Sequence, residues 1–224
     1  MPAAAASKAF GPSAAGVRVK ICGITNADDA WAAVDAGADA LGFNFYAKSP
    51  RYIELENAAK IIRKLPPFVA PVALFVDPTQ GQVLGALGAC RWGALQFHGD
   101  EDPGFLEAFP WDLQIKALRV KDKRTLNLSK MYPRCGAWLI DAVAPGLFGG
   151  SGKLGRWDLA ASVAKQKPLI LAGGLTPENV AEAVKKVKPW GVDTASGVEV
   201  DGKPAKKDAK KMRAFVINAK RALE

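Results

Sequence analysis

Three residues of this chain could move a proton, and a fourth could hold a carboxylate. Cys22 closes the apolar run "VRVKI", and a thiol is a base once it ionises. Asp141 closes "GAWLI", where partial desolvation favours the protonated carboxyl that an acid catalyst needs. His98, the only histidine, follows "WGALQF" and reads as a supporting or structural group. Arg51 lies in "NFYAKSPRYI" with Lys48 and Ser49. It either grips a carboxylate with its planar fork or is a solvated loop cation, and spacing does not choose between them. Each of the others has an equally ordinary reading. Cys22 taken alone reads as an inert buried thiol, and Asp141 as a turn cap.

Two further positions offer backbone instead of side chains. Gly173 and Gly174 precede "LTPEN", the expected start of a helix, and Ala195, Ser196 and Gly197 follow "GVDT". Amides exposed at a helix N-terminus bind phosphate through unpaired donors and the positive end of the dipole. One glycine pair alone would merely permit a tight turn. Two such turns after consecutive strands point to a phosphate site. By contrast, "GLFGGSGK" lacks the spacing of a nucleotide-binding P-loop and reads as a flexible cover over the site.

All these positions need a scaffold that brings strand ends together. Eight strand-like runs are legible: "VRVKI", "DALGFNF", "VAPVALFV", "WGALQF", "LQIKALRV", "GAWLID", "KPLILAG" and "GVDTAS". Helical patterns are expected at 27–36, 56–64, 79–88, 103–109, 157–165, 177–187 and 207–221, with a weak one at 123–131. Such alternation implies parallel strands and right-handed crossovers. Eight units in one chain of this length fit a single (β/α)8 barrel, which gathers its chemistry at the strand C-termini. A doubly wound open sheet is the alternative, but "CGITNA" is not the glycine fingerprint expected after its first strand.

Composition sets outer bounds. No apolar run in the 224 residues reaches the length of a membrane span. Residues 1–16 form a small, Ala-rich segment without a secretory core, expected to be a disordered leader ahead of a catalytic domain at 17–224. Three widely separated cysteines and one histidine point to reduced thiols in a cytoplasmic protein and to no metal site. The net charge of +9 sits in the second half, where residues 113–224 balance at +12 against −3 for residues 1–112. Its lysines fall in patterns that put most of them on helix exteriors without interleaved aromatics. That distribution argues for solubility and anion attraction, not for a nucleic-acid partner.

Taken together, "KICGIT", "GFNFYAKSPRYI", "FHGDE", "LIDAVAPGLFGGSGK", "LAGGLTPENV" and "GVDTASGVE" closely resemble the phosphoribosylanthranilate isomerase family of tryptophan biosynthesis, in order and spacing from about residue 17 to 217. The resemblance implies a one-domain barrel that needs no cofactor and acts on a small phosphorylated substrate by an Amadori rearrangement, as a monomer or homodimer. It implies Cys22 as general base, Asp141 as general acid and Arg51 near the anthranilate carboxylate. It also implies phosphate binding by the backbone of Gly173, Gly174, Ala195, Ser196 and Gly197. Ring opening would give a cationic Schiff base whose acidified C2 hydrogen a thiolate can remove. The helix after Cys22 and the cationic intermediate are expected to help form that thiolate.

The pattern is departed from in places. "GGSGKLGRW" lacks the aromatic usual before its tryptophan, so closure over the substrate rests on altered residues 154–156. Ala195 stands where serine is common, which spares the backbone amide. Phe97 replaces a usual leucine before His98. Two other functions are weighed. A histidine-pathway phosphosugar isomerase shares the barrel but typically places aspartate at the first tip, against Cys22. A catalytically silent barrel would not need all its proton-transfer positions filled.

Overall fold

The computed structural model describes residues 16–120, 122, 126–141 and 157–224. The leader up to residue 15, the glycine-rich loop with residues 154–156, and part of the weak helical stretch at 123–131 lie outside the described residues.

Eight parallel strands close into one barrel in sequence order: β1 (Arg18–Cys22), β2 (Ala40–Asn44), β3 (Ala70–Phe75), β4 (Ala94–Phe97), β5 (Gln114–Arg119), β6 (Ala137–Asp141), β7 (Leu169–Ala172) and β8 (Gly191–Thr194). Around them run α1 (Ala27–Asp35), α2 (Leu55–Ile62), α3 (Gln80–Ala89), α4 (Pro103–Leu106), α5 (Trp157–Val163), α6 (Val180–Val187) and α7 (Ala209–Lys220). Closure is made by β1 pairing with both β2 and β8.

Strand alternation divides the apolar residues into two cores. Val72, Ile115, Ala117, Leu139 and Ile170 fill the barrel interior, while Val19, Ile21, Leu41 and Phe43 join the larger core between barrel and helices. Phe97 belongs to the outer core, fully buried and stacked on Phe109 at 5.8 Å between ring centroids. The extra ring volume relative to leucine is thus accommodated away from the barrel mouth.

Helix positions follow local chemistry, and two helices lose three residues from one end. Asn26 caps α1 by accepting from Asp29 N, and Thr79 and Gln82 form a reciprocal capping box on α3. The helix expected over 103–109 stops at Leu106, because Pro110 disfavours helical backbone just before it and Phe109 turns into the aromatic core. The helix expected over 177–187 begins at Val180. Asn179 takes the amide of Thr176 (2.9 Å) and donates to Gly174 O (2.9 Å), so a side-chain-bonded turn replaces its first residues. After β5 the described residues Asn127–Met131 form a 3-10 helix. No helix of the described residues is long and apolar enough to cross a membrane.

Candidate active site

The strand C-termini open on one face, and the flagged side chains meet there. Lys20 and Cys22 alternate into the barrel from β1, while Val19 and Ile21 face outward. Room for both exists because β2 places Gly42 beside them. A β-carbon at Gly42 would lie 2.8 Å from Cys22 Sγ and 3.0 Å from Lys20 Nζ. The Lys20 ammonium pairs with Asp193 of β8 at 2.9 Å, both nearly sealed from water.

That setting acts on the thiol in opposite directions. Burial pushes Cys22 above the ordinary thiol range, Lys20 pulls it down by charge and by hydrogen bonding, Asp193 pushes it up, and Lys207 pulls it down. Burial wins. The cations that favour a thiolate are therefore two lysines. The helix start expected to help lies at Ala27, its cap already satisfied and its first turn acidic at Asp28 and Asp29.

Asp141 ends β6 with its carboxylate partly exposed, and His98 Nε2 lies 4.0 Å from its Oδ2. Gln96, buried in β4, presents its amide nitrogen 2.9 Å from His98 Nδ1. With that nitrogen donating, the neutral ring carries its proton on Nε2, towards Asp141. Burial pushes His98 below its usual range, opposed by Asp141 and Asp193 and reinforced by Lys20 and Lys116. His98 is thus a neutral neighbour of the carboxyl group, as a supporting role requires.

Arg51 arrives on a loop built by Asn44 and Ser49. Asn44 donates to Ser49 Oγ (3.0 Å), and Ser49 Oγ accepts the amide of Arg51 (3.1 Å). The Arg51 side chain then crosses Gly23, whose φ of 78° and missing β-carbon are both needed, since a Cβ would meet Arg51 Cδ at 2.6 Å. The expected two-pronged grip exists, but inside the chain. Nε and Nη2 each donate to a Glu199 oxygen at 2.7 Å. Arg51 is neither a solvated cation nor an open fork, because its Nε–Nη2 edge is taken up by the buried Glu199 carboxylate. Glu199 does not use the guanidinium edge between Nη1 and Nη2.

The two glycine turns lie side by side. Gly173 and Gly174 adopt φ values of 89° and 65°. Thr194 Oγ1 donates to Leu175 O at 2.8 Å, and a β-carbon on Gly197 would lie 2.0 Å from that same oxygen. Ala195 leads into the short 3-10 turn Ser196–Val198, with Gly174 and Ser196 exposed at the surface of the mouth.

Sequence reasoning missed Lys20, Asp193, Glu199 and Lys207. The first two carried a signal, being charges at inward positions of otherwise apolar strands. Lys207 is an exception among exterior lysines: it is buried and donates to Glu199 (3.1 Å) and to Ala195 O (2.9 Å).

A closed (β/α)8 barrel with a thiol, a carboxyl group, an arginine and two glycine turns around its C-terminal mouth has the layout of an acid–base barrel enzyme for an anionic substrate. A family model described as N-(5'-phosphoribosyl)anthranilate (PRA) isomerase matches residues 19–218, and the chain belongs to that family. It is 50% identical over 204 residues to the N-(5'-phosphoribosyl)anthranilate isomerase of Geobacter sulfurreducens, covering 91% of this chain and 98% of that one. The crystal structure of phosphoribosyl anthranilate isomerase from Thermotoga maritima is similar at TM-score 0.84 and 41% identity, with 91% and 98% of the two chains covered. A crystal structure of the isomerase in complex with reduced 1-(o-carboxyphenylamino)-1-deoxyribulose 5-phosphate is similar at TM-score 0.80 and 38% identity, with the same coverage.

Proposed function

We propose that this chain isomerises N-(5-phosphoribosyl)anthranilate to 1-(2-carboxyphenylamino)-1-deoxyribulose 5-phosphate, with Asp141 as general acid and Cys22 as general base. The carrying observation is that Cys22 and Asp141 end β1 and β6 of one closed barrel, so both open onto the mouth that also holds Arg51 and the glycine turns.

Asp141 gives its proton to the ribose ring oxygen, and the C1–O bond breaks to leave an iminium at C1. The Cys22 thiolate takes the C2 proton, and the electron pair of the C2–H bond neutralises the iminium. The resulting enaminol gains a proton at C1 and loses its hydroxyl proton, giving the ketone. No atom is gained or lost overall. The iminium adds a positive charge beside those of Lys20 and Lys207, which favours the thiolate that burial alone opposes. Arg51 reads the ring carboxylate with its Nη1–Nη2 edge. The backbone of Gly173, Gly174, Ala195, Ser196 and Gly197 holds the phosphate. The enzyme acts in the cytoplasm as a monomer or homodimer, on a small molecule and not on nucleic acid; a related crystal structure is of generated monomers of the dimeric Thermotoga maritima enzyme.

Following the fluorescence of phosphoribosylanthranilate with purified protein tests the reading. Rapid loss of signal with formation of the ketone product is expected. Turnover only of the histidine-pathway aminoaldose, or of neither substrate, would overturn it.

A further inference from the structure

We infer that Glu199 is a positioning residue that aims Arg51, so that the guanidinium meets the substrate carboxylate along one edge only. The inference rests on Arg51 reading that carboxylate.

Glu199 follows the β8 turn and is only 6% exposed, yet it receives four donors. Arg51 supplies two at 2.7 Å, Lys207 Nζ one at 3.1 Å, and the amide of Ala205 one at 3.1 Å. Its partner Lys207 is itself fixed, with Nζ on Ala195 O at 2.9 Å and its amide on Asp29 Oδ2 at 3.0 Å. Burial opposes the Glu199 carboxylate, but Arg51 and Lys207 outweigh burial and hold it below the usual carboxylate range.

Simple charge balance would not require this geometry. A bidentate contact fixes the plane and direction of a guanidinium, which a single ion pair does not. Gly23 restrains the Arg51 stem from the opposite side. The arginine therefore cannot swing to follow a displaced carboxylate. Two cations share the Glu199 carboxylate, and the Asp29 carboxylate lies against the Lys207 amide. Through Lys207 the Glu199 carboxylate is tied to Ala195, at the turn proposed to bind phosphate. One acidic residue thereby sets the spacing between the two anion-recognising ends of the site.

The test titrates wild type, Glu199→Gln and Glu199→Asp with three ligands: reduced 1-(o-carboxyphenylamino)-1-deoxyribulose 5-phosphate, its analogue without the ring carboxylate, and ribulose 5-phosphate. Thermal melting checks folding, and Glu199→Asp serves if the glutamine variant does not fold. Wild type is expected to favour the carboxylated analogue by roughly ten- to a hundredfold, the range of a charged hydrogen bond. Glu199→Gln should lose most of that preference and raise KM with kcat nearly held, while ribulose 5-phosphate binds as before. Aspartate, which keeps the charge but shortens the reach, should lose the preference as well. An unchanged preference in a folded variant overturns the positioning role. So does an equal loss of all three ligands, which would make Glu199 a scaffold residue. A wild type indifferent to the carboxylate instead removes Arg51 as its reader, and this inference with it.

Discussion

Lys20 Nζ lies 2.9 Å from Asp193 Oδ1 inside the barrel, and the pair bears directly on Cys22. Replacing Lys20 by Met should move alkylation of Cys22 by iodoacetamide to higher pH, because the main opponent of burial is gone. It should also cost about 3–5 kcal/mol of stability, the effect of stranding one member of a buried pair. Adding Asp193→Asn should return much of that stability without restoring thiol reactivity. The folded Lys20 titrates above its ordinary value of 10.5, so the contribution of Lys20 is complete at neutral pH and is lost as pH rises through that raised value. An alkylation profile unmoved by Lys20→Met would separate the ion pair from the thiol.

Cys22→Ser should fold normally and lose roughly 10²–10⁴-fold in turnover, the usual cost of removing a general base. A serine hydroxyl is far too weak a base near neutral pH. Steady-state assays decide this, and turnover within a few-fold of wild type would take the thiolate out of the mechanism.

Asp141→Asn keeps the shape and hydrogen-bonding size of the side chain but has no proton to give. kcat should fall far more than KM changes, the pattern of an interaction made in the transition state. A raised KM with kcat intact would make Asp141 a binding residue.

His98 is held neutral by burial, with a folded pKa below the ordinary 6.5. The unfolded chain therefore binds the extra proton first, and this group's contribution to stability is whole above about pH 6.5 and declines as pH falls below it. His98→Gln should flatten the decline of Tm between about pH 7 and pH 5 relative to wild type. Parallel Tm curves for the two proteins would show that the imidazole titrates alike folded and unfolded.

Gly197→Ala would place a β-carbon 2.0 Å from Leu175 O, so the β8 turn must move away from the β7 turn. Overpacking of this kind costs about 1–3 kcal/mol. KM for the phosphorylated substrate should rise more than kcat falls. Binding of inorganic phosphate, measured as competitive inhibition, should weaken in step.

Much of the candidate site is legible in the amino-acid sequence. Short apolar runs ending in Cys22 and Asp141 locate both groups at strand tips, because parallel strands in one barrel share a direction. Gly173 and Gly174 take the positive φ that favours glycine, and a β-carbon on Gly197 would collide with Leu175 O, so both requirements show in residue type. Helix ends were less legible. Leu106 and Val180 bound their helices through a proline, a buried ring and the Asn179 side chain, and these act over contacts that periodicity does not encode.

Side-chain pairing was settled by tertiary structure alone. Arg51 meets Glu199 from 148 residues away, and Lys20 meets Asp193 from 173 residues away. Alternation along a strand says which side chains point into the barrel. Which inward charges become neighbours depends on β8 closing against β1, with Lys20 in register with Asp193. The state of the Cys22 thiol depends on the same closure, because burial, two lysines and one aspartate act on it together across distances that only the folded chain sets.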